Sequence, residues 1–457
     1  MKLKYIKDIN PATKEIIARV KCSTEGEIIK AVNKAKNALT YWSQLPLKER
    51  GKQLKLIAKE FMSHKEKLGK LITDEMGKLY KSAVGESASV YYGIMENISL
   101  AEKALRTEKY TENNLTTEIY RVPVGVCAVI TPWNFPASMP ESLLSPALLA
   151  GNTVVFKPSE KVPLTGEYIY NLYGKHLPEG VINLVQGADE VGDYLIKSDI
   201  DMIAFVGSQS VGKHIMKTAG EKLKRIVLEL GGKDPMIVME DADLEKASDF
   251  AVNGSLRNTG QVCVSVERIY VHEKIAGKFT KLVAKKAANF KCGNGYDDNV
   301  QMGPLVSEEQ RKHVLSQVKD SLKKGAKLIF AGKVSEKLKG YFMGPVVLTG
   351  LNHSHRIMRE ETFGPVIAIQ TVKSAAEAIR LANDSQYGLG ATIWTRNKKK
   401  GLELARKIES GMIGINQGLA SVTGTPWVGV KQSGFGFIGS VEGIRQFTVP
   451  RKISYRN

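Results

Sequence analysis

Two stretches of this sequence carry the residue types that covalent chemistry needs. Arg257-Asn258-Thr259-Gly260-Gln261-Val262-Cys263 ends in a cysteine. A lone cysteine is commonly an inert small hydrophobe. It becomes a nucleophile only where its surroundings favour thiolate below the free pKa of about 8.5. Thirty-four residues earlier, Glu229 stands in Arg225-Ile226-Val227-Leu228-Glu229-Leu230-Gly231-Gly232-Lys233. Either this strand shows Val227 and Glu229 on an exposed face opposite Ile226, Leu228 and Leu230, or the carboxylate is buried. Burial without a partner raises its pKa toward that of a general base working near neutrality. The two glycines that follow let another backbone or a ligand approach closely.

Three loops could position other reactants. Thr131-Pro132-Trp133-Asn134-Phe135-Pro136 follows the apolar run Val126–Ile130. Its prolines stiffen it, so the Asn134 amide could be held where an oxyanion forms, although asparagine is also an ordinary turn residue. Lys157-Pro158-Ser159-Glu160 follows the run Thr153–Phe156. A carboxylate at that strand end could accept both hydroxyls of a ribose, or simply sit in a solvated turn. Met202–Val206 runs into Gly207 and Ser208 and then Gly212, with Gln209 where a dinucleotide fingerprint has its middle glycine. A helix starting there would offer free N–H groups to a pyrophosphate, but a plain turn has the same pattern.

The elements around these loops alternate. The first hundred residues read as helices. Thr24-x-x-Glu27 forms a capping-box pattern ahead of Ile28, Val32, Ala35 and Leu39 at helical spacing. From Val126 onward, short apolar runs at Val126–Ile130, Thr153–Phe156, Ile182–Val185, Met202–Val206 and Ile226–Leu230 are mostly separated by helix-length stretches. Such alternation predicts a parallel sheet covered on both faces. A second series has strands near Arg268–Val271, Lys327–Phe330, Val366–Gln370 and Ala391–Trp394. Two α/β domains therefore meet near Gly231-Gly232.

The composition excludes several classes. The excess of 66 Lys+Arg over 47 Asp+Glu gives +19. The lysines are scattered along amphipathic segments without interleaved aromatics, which fits a solvated surface and no nucleic-acid platform. No apolar run reaches the roughly 20 residues of a spanning helix. No apolar signal region follows the charged start, so a cytoplasmic address is expected. The four cysteines form no CxxC, and the seven histidines show no HExxH spacing. No metal site is expected.

Taken in order, PWNFP (Pro132–Pro136), KPSE (Lys157–Glu160), LELGGK (Leu228–Lys233) and GQVC (Gly260–Cys263) resemble the aldehyde dehydrogenase superfamily. Glu360-Glu361-Thr362-Phe363-Gly364-Pro365, NDSQYGL from Asn383 and GVKQSGFG from Gly429 extend the resemblance over nearly the whole chain. It implies an NAD(P)-dependent, hydrolytic oxidation of an aldehyde. In that scheme Cys263 is the nucleophile and Glu229 activates the hydrolytic water. The Asn134 side chain, with the Cys263 N–H, holds the oxyanion. Thr131, Pro132, Trp133 and Leu230 line the cofactor cleft. Lys157, Ser159 and Glu160 hold the adenosine ribose, Gly207 and Ser208 the pyrophosphate, and Glu361 with Phe363 the nicotinamide ribose. Glu160 would favour NAD over NADP by repelling a 2′-phosphate, with Lys157 offsetting part of that repulsion.

The fold implied has two doubly wound α/β domains and a small β oligomerisation element. The cofactor-binding domain is 1–104 and 124–231, and the catalytic domain is 232–432. The element, 105–123 and 433–457, would build a homodimer or homotetramer by extending a neighbour's sheet. Arg257 resembles a substrate-carboxylate arginine of succinate-semialdehyde dehydrogenases, but the second such position is Ser142. Its neighbour Glu141 would repel an anion, so a helix-surface ion pair is the preferred reading of Arg257. Ser265 replaces a partner cysteine, which argues against a local redox switch. The rival readings are a CoA-acylating or acyl-phosphate-reducing relative, and a non-catalytic member used as a binding or structural protein.

Overall fold

The computed structural model describes residues 4–419 and 422–456. The first three residues and Asn457, the end of the expected C-terminal strand, lie outside that range. Residues alternating along the apolar strands serve two different cores. Cys127, Val129, Val154, Phe156, Met202 and Ala204 face one cluster. It is closed by the helices Leu47–Ser63, Tyr80–Ala104, Ser138–Leu149 and Pro163–Gly174. Val126, Ala128, Val155, Ile203 and Phe205 face the other, under Glu25–Trp42, Asp189–Lys197 and Gln209–Gly220. Burial on both faces is what makes these strands continuous apolar runs.

The first sheet has the order Gly434–Phe435, Arg225–Glu229, Met202–Val206, Val126–Ile130, Thr153–Lys157, Ile182–Leu184. All neighbours are parallel except the first pair. The chain winds outward in both directions from Val126–Ile130, so the strand order reverses between it and Met202–Val206. A crevice opens at the carboxyl ends of strands flanking such a reversal. The second sheet has seven strands: Lys327–Ala331, Val346–Thr349, Val366–Val372, Val266–His272, Asp234–Val238, Gly390–Trp394, Met412–Ile415. A third sheet is antiparallel, with Leu115–Pro123 between Glu108–Glu112 and Thr448–Arg456.

The capping box at Thr24 forms. Glu27 N–H donates to Thr24 Oγ1 at 3.3 Å, and Thr24 N–H donates to Glu27 Oε2 at 2.8 Å. Other expectations need correction. The chain does not begin with helices. Tyr5–Ile9 and Ile16–Lys21 form an antiparallel hairpin, turned where Asn10 Oδ1 accepts from Ala12 N–H. Asp234–Val238, central in the second sheet, was hidden by Pro235, because a proline in a run argues against a central strand. The register shift at Asp234/Pro235 accommodates it. Lys327–Ala331 is an antiparallel edge strand and not part of the parallel series. Residues 433–447 also differ from the expected oligomerisation element. Gly434–Phe435 joins the first sheet, and Ser440–Arg445 packs on Tyr80–Ala104. Among the described residues no helix is long and apolar enough to cross a membrane.

Candidate active site

Glu229 closes its strand with Val227, Leu228 and Leu230 all buried around it, not on an alternating exposed face. Its backbone is gripped from both sides, by Val206 in one register and Gly434 in the other. Burial pushes the Glu229 carboxyl up to about 7, although the Cys263 thiol and the Trp427 indole act to lower it. Trp427 Nε1 donates to Glu229 Oε1 at 3.3 Å. At Cys263, burial first and the neighbouring Glu229 second push the thiol well above its usual value. The two groups thus sit together, a thiol that holds its proton beside a carboxyl that can gain or lose one near neutral pH.

The backbone before Cys263 is forced. Asn258, Thr259 and Gly260 are left-handed in succession, at φ 52°, 59° and 74°. A Cβ at Gly260 would lie 2.2 Å from the Gly364 carbonyl, so only glycine fits. Side chains hold the turn against that strain. Asn258 Nδ2 donates to the Asn134 and Gln261 carbonyls at 3.2 Å each, and Thr259 Oγ1 donates to the Gly303 carbonyl at 3.1 Å.

Asn134 is buried, and its Nδ2 donates to the Gln261 carbonyl at 3.2 Å, two residues from Cys263. Its loop is anchored by Lys78, whose Nζ donates to the Asn134 carbonyl at 2.8 Å and pairs with buried Glu86. Glu86 in turn accepts from Ala137 N–H at 2.9 Å. No spacing in the sequence assigns Lys78 and Glu86, which act at a distance of some fifty residues. Glu267 was missed for the same reason. It accepts from the N–H groups of Thr362 and Phe363 at 2.8 Å each and pairs with fully buried Lys233. Glu361 follows from that anchoring, and accepts from Gly232 N–H at 3.1 Å. Burial raises it to about 8. Phe363, itself at φ 50°, sets its ring edge-on to Trp133 at 5.5 Å.

A cavity of about 650 Å³ contains Cys263, Glu229, Asn134, Arg257, Leu230, Glu361 and Phe363. A second, of about 730 Å³, contains Thr131, Lys157, Ser159 and Glu160. Pro132, Trp133, Gly207 and Ser208 line both, so the two are one cleft at the strand-order reversal. All the residues expected from the sequence to serve catalysis, cofactor binding or the substrate carboxylate line it. Ser208 caps the helix Gln209–Gly220, accepting from Val211 N–H. Lys157 is buried and its ammonium is pushed below its usual value by desolvation. Thr131 Oγ1 is buried and has no hydrogen-bond partner among the described residues.

Two expectations about the substrate end are overturned. Arg257 makes no surface ion pair with any described carboxylate. It lies exposed at the cavity wall, over the Phe135 ring at 5.8 Å. Glu141 does not face the cavity. It is buried against Asn97 and Ser145, receiving 2.9 and 2.6 Å hydrogen bonds, and desolvation raises it to about 7.

The sequence profile of the Aldehyde dehydrogenase family matches residues 2–453. The chain belongs to the aldehyde dehydrogenase family. It is an oxidoreductase that converts an aldehyde to the carboxylic acid with a nicotinamide cofactor. Among its relatives, it is 39% identical over 451 residues to the mitochondrial succinate-semialdehyde dehydrogenase of Arabidopsis thaliana, covering 97% of this chain and 85% of that one. It is 36% identical to the peroxisomal aminoaldehyde dehydrogenase 1 of Pisum sativum, covering 95% of this chain and 89% of that one. Its fold matches a betaine aldehyde dehydrogenase from Staphylococcus aureus, solved with NAD+, at a TM-score of 0.95. That match has 35% identity and covers 99% and 91% of the two chains. An NADP dependent enzyme of E. coli matches at 0.96 with 32% identity, covering 99% and 95%.

Proposed function

We propose that this aldehyde dehydrogenase is hydrolytic and acts on a semialdehyde, an aldehyde with a distal carboxylate. The observation that carries the mechanism is the meeting of Cys263, Glu229 and Asn134 in one cavity. Glu229, poised near neutrality, takes the thiol proton as Cys263 Sγ attacks the aldehyde carbon. The oxygen of the resulting thiohemiacetal is held by the Asn134 amide and the Cys263 N–H. The Asn134 Nδ2 now engaged with the Gln261 carbonyl is the donor that must turn to it. Bound nicotinamide supplies the oxidising step by accepting hydride. Glu229 passes the thiol proton to solvent and, again ionised, deprotonates the water that hydrolyses the Cys263 thioester, then returns that proton to the departing thiolate as the acid is released.

The cleft fits a dinucleotide by its own chemistry. Thr131 Oγ1 lacks a partner among the described residues, Ser208 opens a helix toward the crevice, and Lys157 with Glu160 occupies the next strand end. Glu160 supports a preference for NAD, since a 2′-phosphate beside it meets like charge. We assign 1–104 and 124–231 to cofactor binding, 232–432 to catalysis, and the third sheet to assembly of a homodimer or homotetramer. Its exposed Tyr110, Leu115, Ile453 and Tyr455 support that last role.

The substrate reading rests on Arg257, a cation on the cavity wall without a carboxylate partner among the described residues. Steady-state rates with a panel of aldehydes test it. Semialdehydes should show the highest kcat/KM. Arg257→Met should raise their KM by about tenfold while changing an uncharged aldehyde of equal length by less than about threefold. Equal loss for both substrates, or a preference for amino- or trimethylammonium aldehydes, would refute it.

A further inference from the structure

Buried carboxylates in this protein are held in two ways. Glu75 accepts from the N–H groups of Leu164 and Thr165 at 2.7 and 2.8 Å. Glu86 accepts from Ala137 and Ser138 N–H and from Lys78. Glu267 accepts from Thr362 and Phe363 N–H and from Lys233. Each is locked by backbone amides. Among the described residues, Glu229 has no backbone donor. Its carboxylate has the indole N–H of Trp427 and, beside it, the Cys263 thiol.

We propose that Trp427 is the positioning residue for Glu229: its N–H anchors Oε1 and leaves Oε2 as the oxygen that takes the proton of the deacylating water. This rests on the reading of Glu229 as the base. Indole N–H is a donor only, so it steadies the carboxylate without competing for the proton. It is also neutral. A lysine in its place would hold the carboxylate ionised and weaken it as a base. The other titratable groups around Glu229 are Cys263, Asp234 and Glu361, each pushed up by burial. Arg257 and His313 stand further along the cavity wall. Of these only the Cys263 thiol hydrogen-bonds Glu229 among the described residues, and that donor is consumed when the thioester forms, so during deacylation nothing replaces the indole.

The backbone supports this role. Trp427 pairs with Ile438, while Gly434 pairs with Glu229 in the first sheet. One ribbon therefore holds both the main chain and the side chain of Glu229. Ser433, fully buried, fixes its register: Oγ donates to the Gly231 carbonyl at 2.8 Å, and the Ser433 carbonyl accepts from Leu230 N–H at 2.9 Å.

The test uses Trp427→Phe in the full-length enzyme, with an isosteric benzothienylalanine at 427 as a second variant that keeps the ring shape. Rapid mixing with NAD+ and aldehyde should show a first-turnover burst of undiminished amplitude, since acylation still precedes the slowed step. Steady turnover should then be about 3- to 10-fold slower near pH 7, the effect of losing one hydrogen bond of ordinary strength. The gap should close to under about twofold near pH 9, where Glu229 ionises unaided, so the acidic limb of kcat moves to higher pH. In a Glu229→Gln background the same substitution should add nothing to the deacylation defect. An unmoved limb, a loss equal at every pH, or additive losses in the double variant would overturn the proposal and leave Trp427 as packing. A Glu229→Gln single variant that deacylates normally would overturn the base reading itself, whatever Trp427→Phe does.

Discussion

The two halves of the cleft are built differently. The half proposed for the cofactor lies on regular strand ends: Thr131 and Gly207 each follow a fully buried parallel strand, Lys157 ends one, and Ser208 caps the next helix. The chemical half is assembled from strained and desolvated parts. It has three left-handed residues before Cys263, a left-handed Phe363, and the carboxyls of Glu229, Glu361 and Asp234 raised by burial. A regular sheet supplies a crevice at no local cost. A reactive thiol beside a neutral-range base has to be held in place by surrounding structure, here Lys78, Glu86, Glu267 and Lys233.

If that division is right, damage to one half should leave the other working. Cys263→Ser should show the largest effect, a loss of turnover of at least about a hundredfold, because a hydroxyl remains protonated and is a poor nucleophile. Cofactor affinity, followed by fluorescence titration, should change by less than about twofold. A comparable loss of binding would show that the halves are not separable.

Changes in the cofactor half should alter cofactor choice and not chemistry. Glu160→Gln removes the charge that opposes a 2′-phosphate, so the ratio of kcat/KM for NADP over NAD should rise by about five- to tenfold. The burst rate at saturating cofactor should stay within about twofold. An unchanged ratio would remove Glu160 from cofactor discrimination.

The smallest effect concerns stability. Burial pushes Asp234 up to about 8 from the usual 3.8, more than the Gly390 N–H beside its carboxylate offsets. The folded state therefore keeps a proton that the unfolded chain loses above about pH 4, so this residue erodes stability as pH rises from about 4 to about 8. Asp234→Asn should raise Tm by about 1–4 °C at pH 8 and by less at pH 5, measured by calorimetry. A gain that is the same at both values would show that the charge is not the cause.

The same division decided what could be read from the sequence. The cofactor half was legible because a strand buried on both faces must be an apolar run, and its loop must follow. The family motifs also put Cys263, Glu229 and Asn134 on one cleft. What holds them was not legible. Lys78, Glu86, Glu267 and Trp427 act across dozens to hundreds of residues, and their chain neighbours carry no periodic signal. Arg257 was misjudged because helical spacing suggests surface partners but cannot show that the helix ends there, in a left-handed turn over Phe135. Glu141 was misjudged because proximity in sequence to the substrate loop says nothing about which way a helix turns it.

The most direct test of the account is a single-turnover experiment on Glu229→Gln. Glutamine keeps the shape of the side chain but cannot accept the water's proton. Rapid mixing with NAD+ and aldehyde should release up to about one NADH per active site and then nearly stop, with intact mass showing the acyl group on the enzyme. Adding CoA should not restore turnover. Raising the pH, where more Cys263 is thiolate, should restore a burst made small by loss of the carboxylate's help in the first proton transfer. Steady turnover with no acyl adduct would contradict the role of Glu229 in hydrolysis, and rescue by CoA would make this chain an acyl-transferring member of the family.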